Sequence, residues 1–180
     1  QQAMEENLLC PFHYFGITDL SMIGDEEAAR DFNMLTSDER VRHIVNQADY
    51  YGYSGDKVKG LIFCSNIKET EELSAKFNQI INPATGKNFR TVALNGSASE
   101  QERQDAFERL AMNEDESSED RQPLDYIFSV EILNEGVDIV EVNQVIMLRP
   151  TQSPIVFIQQ LGRGLRKASG KEYVVILDFI

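Results

Sequence analysis

The residues best suited to chemistry lie near the carboxyl end, in Gln159-Gln160-Leu161-Gly162-Arg163-Gly164-Leu165-Arg166. The pattern is QxxGRxxR at the end of a predicted helix. The two arginines are three apart, so they share one helical face. A guanidinium is planar, permanently charged and bonds phosphate oxygens bidentately. Arg163 and Arg166 together suit neutralisation of a transferring γ-phosphoryl group. The alternative for the same residues is a solvated basic helix end that complements the helix dipole. A second segment, Glu135-Gly136-Val137-Asp138, follows a predicted strand. A glycine beside an acid there suits close backbone approach and acceptance from a ribose hydroxyl. A turn glycine with a capping aspartate is the alternative.

Such residues act only if a scaffold brings them to one place. From residue 60 onward, apolar runs alternate with helical patterns. LIFCS (61–65), TVAL (91–94), YIFSV (126–130), QVIML (144–148) and Tyr173–Phe179 are predicted buried strands. A helix is predicted from about Lys68 to Ile80, with Asn66 and Glu69 in capping-box spacing. Asn95-Gly96 turns the chain, and Ser99 with Glu102 opens a helix that presents Ala106, Phe107 and Leu110 on one face. Ser153-Pro154 opens the helix that carries QxxGRxxR. In the first 55 residues, LLCPFHYFGITD holds a strand, Thr36 with Glu39 caps a helix to about Tyr50, and YYGYSGDK is a loop. The stretch 113–123 has no apolar residue and is a solvated loop.

Continuous apolar strands alternating with helices imply an α/β fold, a mostly parallel sheet with helices on both faces. Ligands of such folds bind at the carboxyl ends of the strands. SNIKE after the first of these strands, NG after the second and the segment after YIFSV all belong to that edge.

The 180 residues suffice for one domain with a core of its own. The net charge of −13 argues against binding nucleic acid through the whole surface. The charge is uneven: residues 101–150 carry 13 acids and 4 bases, whereas the last 30 carry 4 bases and 2 acids. A local basic site on an acidic body fits a phosphate site. No run is long and apolar enough to span a membrane, so no membrane partner is expected. Cys10 and Cys64 lie in apolar stretches and read as buried thiols of a reducing, cytoplasmic protein. His13 is expected to pack in its aromatic run and His43 to sit on a helix surface. Cysteine and histidine spacing predicts no metal site. Tyr50, Tyr51 and Tyr53 are expected to pack among themselves, with base stacking the alternative.

Taken in order, GLIFCSN, ALNGSASEQER, NEGVDIVEV and QQLGRGLR resemble four carboxyl-terminal helicase motifs. Over residues 58–180 the chain is similar to the second RecA-like lobe of superfamily 2 helicases, a P-loop NTPase lobe, in the DEAD/DEAH-like, type III restriction branch. The resemblance implies a motor lobe at 58–180, preceded by a segment, 1–57, that bridges from a first lobe. It implies that Arg163 and Arg166 face the γ-phosphate of ATP, with Gln159 nearby. Gly136 and Asp138 would contact the nucleotide. Ser65, Asn66, Asn95, Gly96, Ser129 and Glu131 would lie along nucleic-acid phosphates, in contacts that position without reading sequence. DNA is favoured over RNA by the restriction-like flavour alone. Three positions depart from the family pattern: Val130 stands where many relatives have threonine, Glu131 where aspartate is common, and Val140 where proline is usual.

No GxxxxGK[ST] occurs in the sequence, so a cradle for the β- and γ-phosphates is missing. GDEEA (24–28) is read as an acidic helix start rather than a magnesium-binding motif. ATP and Mg are therefore expected to be held mainly by a first lobe, and this chain alone is expected not to hydrolyse ATP. Three rivals are a translocase that tracks duplex without separating it, a non-catalytic α/β module binding protein or nucleotide, and a dinucleotide-binding enzyme. The last is disfavoured because no GxGxxG follows a strand near the start.

Overall fold

A computed structural model describes residues 11–18, 36–130, 142–148 and 172–179. Among them, six strands form one sheet: β1 (Phe12–Ile17), β2 (Gly60–Phe63), β3 (Thr91–Leu94), β4 (Tyr126–Ser129), β5 (Gln144–Met147) and β6 (Val174–Phe179). The spatial order is β1-β6-β5-β2-β4-β3, and every pairing is parallel. All residues of β2, β4, β5 and β6 are buried, which explains why these strands read as continuous apolar runs rather than alternating ones. The strand expected in LLCPFHYFGITD is β1, which lies at the sheet edge beside β6.

Three helices cover the sheet among the described residues. Helices α1 (Asp38–Tyr51) and α2 (Ile67–Phe77) pack Val41, Ile44, Val45, Ala48, Leu73 and Phe77 against one face. Helix α3 (Glu100–Ala111) packs Ala106, Phe107 and Leu110 on the other, as the 3.6-residue periodicity predicts. The fold is thus a parallel sheet with helices on both faces.

Local details differ from expectation. The cap of α1 is Ser37, whose hydroxyl accepts from the Arg40 amide at 3.2 Å, and not Thr36. Helix α2 stops at Phe77, three residues short of the predicted Ile80, because Asn78 is drawn to β3. Its Oδ1 accepts from the Thr91 amide at 2.8 Å and hydroxyl at 2.9 Å. The loop at 113–123 contains one turn of 3-10 helix, Glu114–Glu116, with a capping box between Asn113 and Glu116.

Polar side chains lock the amino-terminal edge of the sheet. Asn143 donates to the Ser54 and Lys57 carbonyls and accepts from the Lys59 amide at 2.8 Å. Gln144 donates to the Ala48 and Gly52 carbonyls at the end of α1 and accepts from the Tyr126 hydroxyl. Gly60 faces the Tyr126 ring so closely that a Cβ there would meet Cε1 at 2.3 Å.

Candidate functional site

The parallel sheet gives all its carboxyl ends to one edge. Phe63 is in register with Ser129, Ser129 with Leu94, and Phe63 also with Met147. The next residues therefore leave the sheet side by side from three adjacent strands: Ser65-Asn66 after β2, Ser129 at the end of β4, and Asn95-Gly96 after β3. Neighbouring strands lie about 4.8 Å apart, so the three exits span roughly 10 Å. The structure brings these five sequence-predicted residues together. Glu131, Gly136, Asp138, Gln159, Arg163 and Arg166 lie outside the described residues, as do Cys10, GDEEA and the helix expected at Ser153-Pro154.

Each described member has a local cause. The first exit turns into α2 because Asn66 caps it, its Oδ1 accepting from the Glu69 amide at 2.8 Å. The Asn66 carbonyl accepts from both the Thr70 amide and the Thr70 hydroxyl. The third exit is an Asx turn: Asn95 Oδ1 accepts from the Ser97 amide at 2.8 Å and the Ser97 hydroxyl at 2.5 Å. Ser99 then caps α3, accepting from the Glu102 amide at 3.0 Å. Ser65, Asn66 and Gly96 are exposed, Asn95 is half-buried and Ser129 is buried. The Ser129 carbonyl accepts from the Cys64 amide at 2.8 Å, which ties the first two exits to each other.

Beneath the first exit lies a charged pair. Arg40 Nη1 meets Glu69 Oε2 at 3.0 Å, and the two side chains are 1% and 0% exposed. The other carboxylate oxygen, Oε1, accepts from the Ser65 amide at 2.6 Å. Glu69 was predicted to close a capping box on Asn66, but its side chain reaches one residue further back. Sequence reasoning did not find Arg40. A signal was present: Arg40 stands on the buried stripe of α1 with Ile44 and Ala48, where a charge is unexpected.

The edge presents a hydroxyl, carboxamides, an open glycine backbone and the amino ends of α2 and α3. These are neutral donors and positive dipole ends, which suit phosphate oxygens. Cys64 is fully buried, and burial pushes its thiol pKa up, so it is inert as a thiolate. Among the described residues, no group of three His, Cys, Asp or Glu side chains is placed to hold a metal ion. None of their helices is long and apolar enough to cross a membrane. His13 stacks on Tyr173 with centroids 4.1 Å apart, and Tyr51 packs against Phe15 and Tyr50.

Residues 39–168 match the family described as helicase conserved C-terminal domain. MJ1505 of Methanocaldococcus jannaschii, named as an ATP-dependent RNA helicase, is 29% identical over 178 residues, covering 89% of this chain. IRC3 of Saccharomyces cerevisiae, named as an ATP-dependent helicase, is 41% identical over 49 residues, covering 27% of this chain. The chain spans 21% of the length of the first relative and 7% of the second. Among solved structures, the DNA-bound Type ISP restriction-modification enzyme LlaBIII superposes with a TM-score of 0.65 at 22% identity, over 99% of this chain and 12% of that one. A fragment described as a type I restriction HsdR subunit from Vibrio vulnificus YJ016 gives 0.68 at 18%, over 99% and 33%. Domain 2 of the DEAD-box helicase Mss116p, bound to an RNA duplex, gives 0.52 at 16%, over 94% and 54%. These structures share the fold.

Proposed function

This chain belongs to the helicase conserved C-terminal domain family, and we propose that it is the second motor lobe of an ATP-dependent nucleic-acid helicase or translocase. The observation that carries the reading is the alignment of Ser65-Asn66, Ser129 and Asn95-Gly96 along one edge of three adjacent parallel strands. Ser65, Asn66, Asn95 and Gly96 meet backbone phosphates with neutral donors. Buried Ser129 holds the first two exits together through its carbonyl, and Glu131, two residues further along the sequence, is assigned to the same phosphate track by the motif it belongs to. Such contacts grip any sequence.

Residues 58–180 form the lobe, and 1–57 bridge to a first lobe that bears the phosphate loop this sequence lacks. Described parts of the bridge, β1 and α1, join the sheet and its core. ATP, with Mg, supplies the hydrolysable phosphoanhydride at the junction of the lobes. Arg163 and Arg166 stabilise charge on the γ-phosphate side, Gln159 lies beside them, and Gly136 and Asp138 line the nucleotide. Closure of the lobes then moves one phosphate grip relative to the other. The track is DNA, on the restriction-like flavour of the motifs and the likeness to a DNA-bound restriction-modification enzyme, and the lobe works in the cytoplasm.

The test is ATP turnover by the full-length protein that carries this chain, with no nucleic acid, with DNA and with RNA. DNA is expected to stimulate turnover most. Stronger stimulation by RNA would reassign the track and leave the motor intact. No turnover under any condition would overturn the motor and favour a non-catalytic module.

A further inference from the structure

Resting on that reading of the carboxyl edge, we propose that Arg40 and Glu69 are positioning residues that hold the Ser65-Asn66 turn ready to grip a backbone phosphate. Both charges are withdrawn from water, which is costly. An apolar pair of similar volume commonly stabilises a fold as well or better. Stability alone therefore gives no reason for this pair. What an apolar pair cannot do is accept a hydrogen bond. Glu69 divides its carboxylate between Arg40, at the foot of α1, and the amide of Ser65, in the exposed turn.

The rest of the turn is equally tied. The backbone amide of Glu69 is held by Asn66 Oδ1, and the Asn66 carbonyl by Thr70. With these bonds made, Ser65 and Asn66 stand exposed at the head of α2. The Ile67 and Lys68 amides of its first turn have no acceptor within the helix. The foot of α1 is itself fastened to α2, since Lys76 Nζ reaches the Thr36 carbonyl at 2.5 Å and Asp38 at 3.1 Å. The exposed grip is therefore braced by α1, an element outside the strand-helix unit that carries it.

Two variants of the full-length protein separate positioning from packing. Arg40→Met/Glu69→Met keeps the volume, removes both charges and leaves the Ser65 amide without its acceptor. Glu69→Gln keeps an oxygen for Ser65 but turns an amide donor toward Arg40. Thermal melting is measured beside binding to fluorescein-labelled DNA and RNA oligonucleotides. The double Met variant is expected to melt near wild type yet bind about tenfold more weakly, the scale of one lost phosphate contact. Glu69→Gln is expected to melt lower yet bind like wild type at a temperature where it is folded. Wild-type binding in the double variant, or weakened binding in Glu69→Gln, overturns the positioning role alone. Failure of wild type to bind either oligonucleotide overturns the motor reading and this inference with it.

Discussion

At the scale of single residues, the chemistry is set by what water can reach. Cys64 is fully buried and its thiol pKa is raised, first by desolvation and then by Glu69. In the folded protein it should resist iodoacetamide, and it should react at an ordinary thiol rate once denaturant is added; peptide mapping of the alkylated residue checks this. Rapid labelling of the native protein would contradict its burial. Tyr126 is also buried, and desolvation followed by Asp125 pushes its phenol up. Its folded pKa thus lies above the unfolded value of about 10. The stability gained from a neutral phenol is complete below that pH and is lost as pH rises through the folded value. In an alkaline absorbance titration Tyr126 should ionise only with unfolding, and Tyr126→Phe should delete that late component. Tyr14 is pushed up to about 12 by desolvation, then by its hydrogen bond to Asp178 and that carboxylate's charge, and should also titrate late. The capping roles of Asn66 and Ser99 were legible in sequence because each acts within four residues. The pairing of Arg40 with Glu69 was not, because it spans 29 residues and two elements.

At the scale of elements, the apolar runs predicted the inner strands closely, and periodicity predicted the buried face of α3. The error at the end of α2 falls where a distant partner decides. Asn78 ends α2 early because its side chain serves Thr91 on β3, and helix propensity carries no trace of that bond. Likewise the strand order was not legible, because it depends on crossovers between strands that local pattern does not encode. Gly60 shows the same limit: its need for space comes from Tyr126, on the neighbouring strand β4. Gly60→Ala forces a Cβ against a buried ring whose hydroxyl is held by Gln144. It is expected to lose about 1–3 kcal/mol of stability, the range for core overpacking. Chemical denaturation checks this, and an unchanged midpoint would mean that the ring and strand relax at little cost.

At the scale of the whole molecule, a parallel sheet turns scattered sequence motifs into one edge. That the predicted residues after β2, β3 and β4 share an edge was legible, because parallel topology follows from alternating apolar runs and helices. Their differing exposure was not: Ser129 is buried and Ser65 is open, a distinction set by the neighbours around each strand end. The acidic body, at a net charge of −13, concentrates any phosphate chemistry at local sites rather than across the surface. The motor account then depends on the arginines of QxxGRxxR acting on ATP from this lobe. The measurement that tests it most directly is the ATP turnover number of the full-length protein at saturating nucleic acid, wild type against Arg166→Ala. Turnover is expected to fall by about 10³ or more, with melting temperature and ATP-independent nucleic-acid binding unchanged. A wild-type turnover number in the folded variant would contradict it.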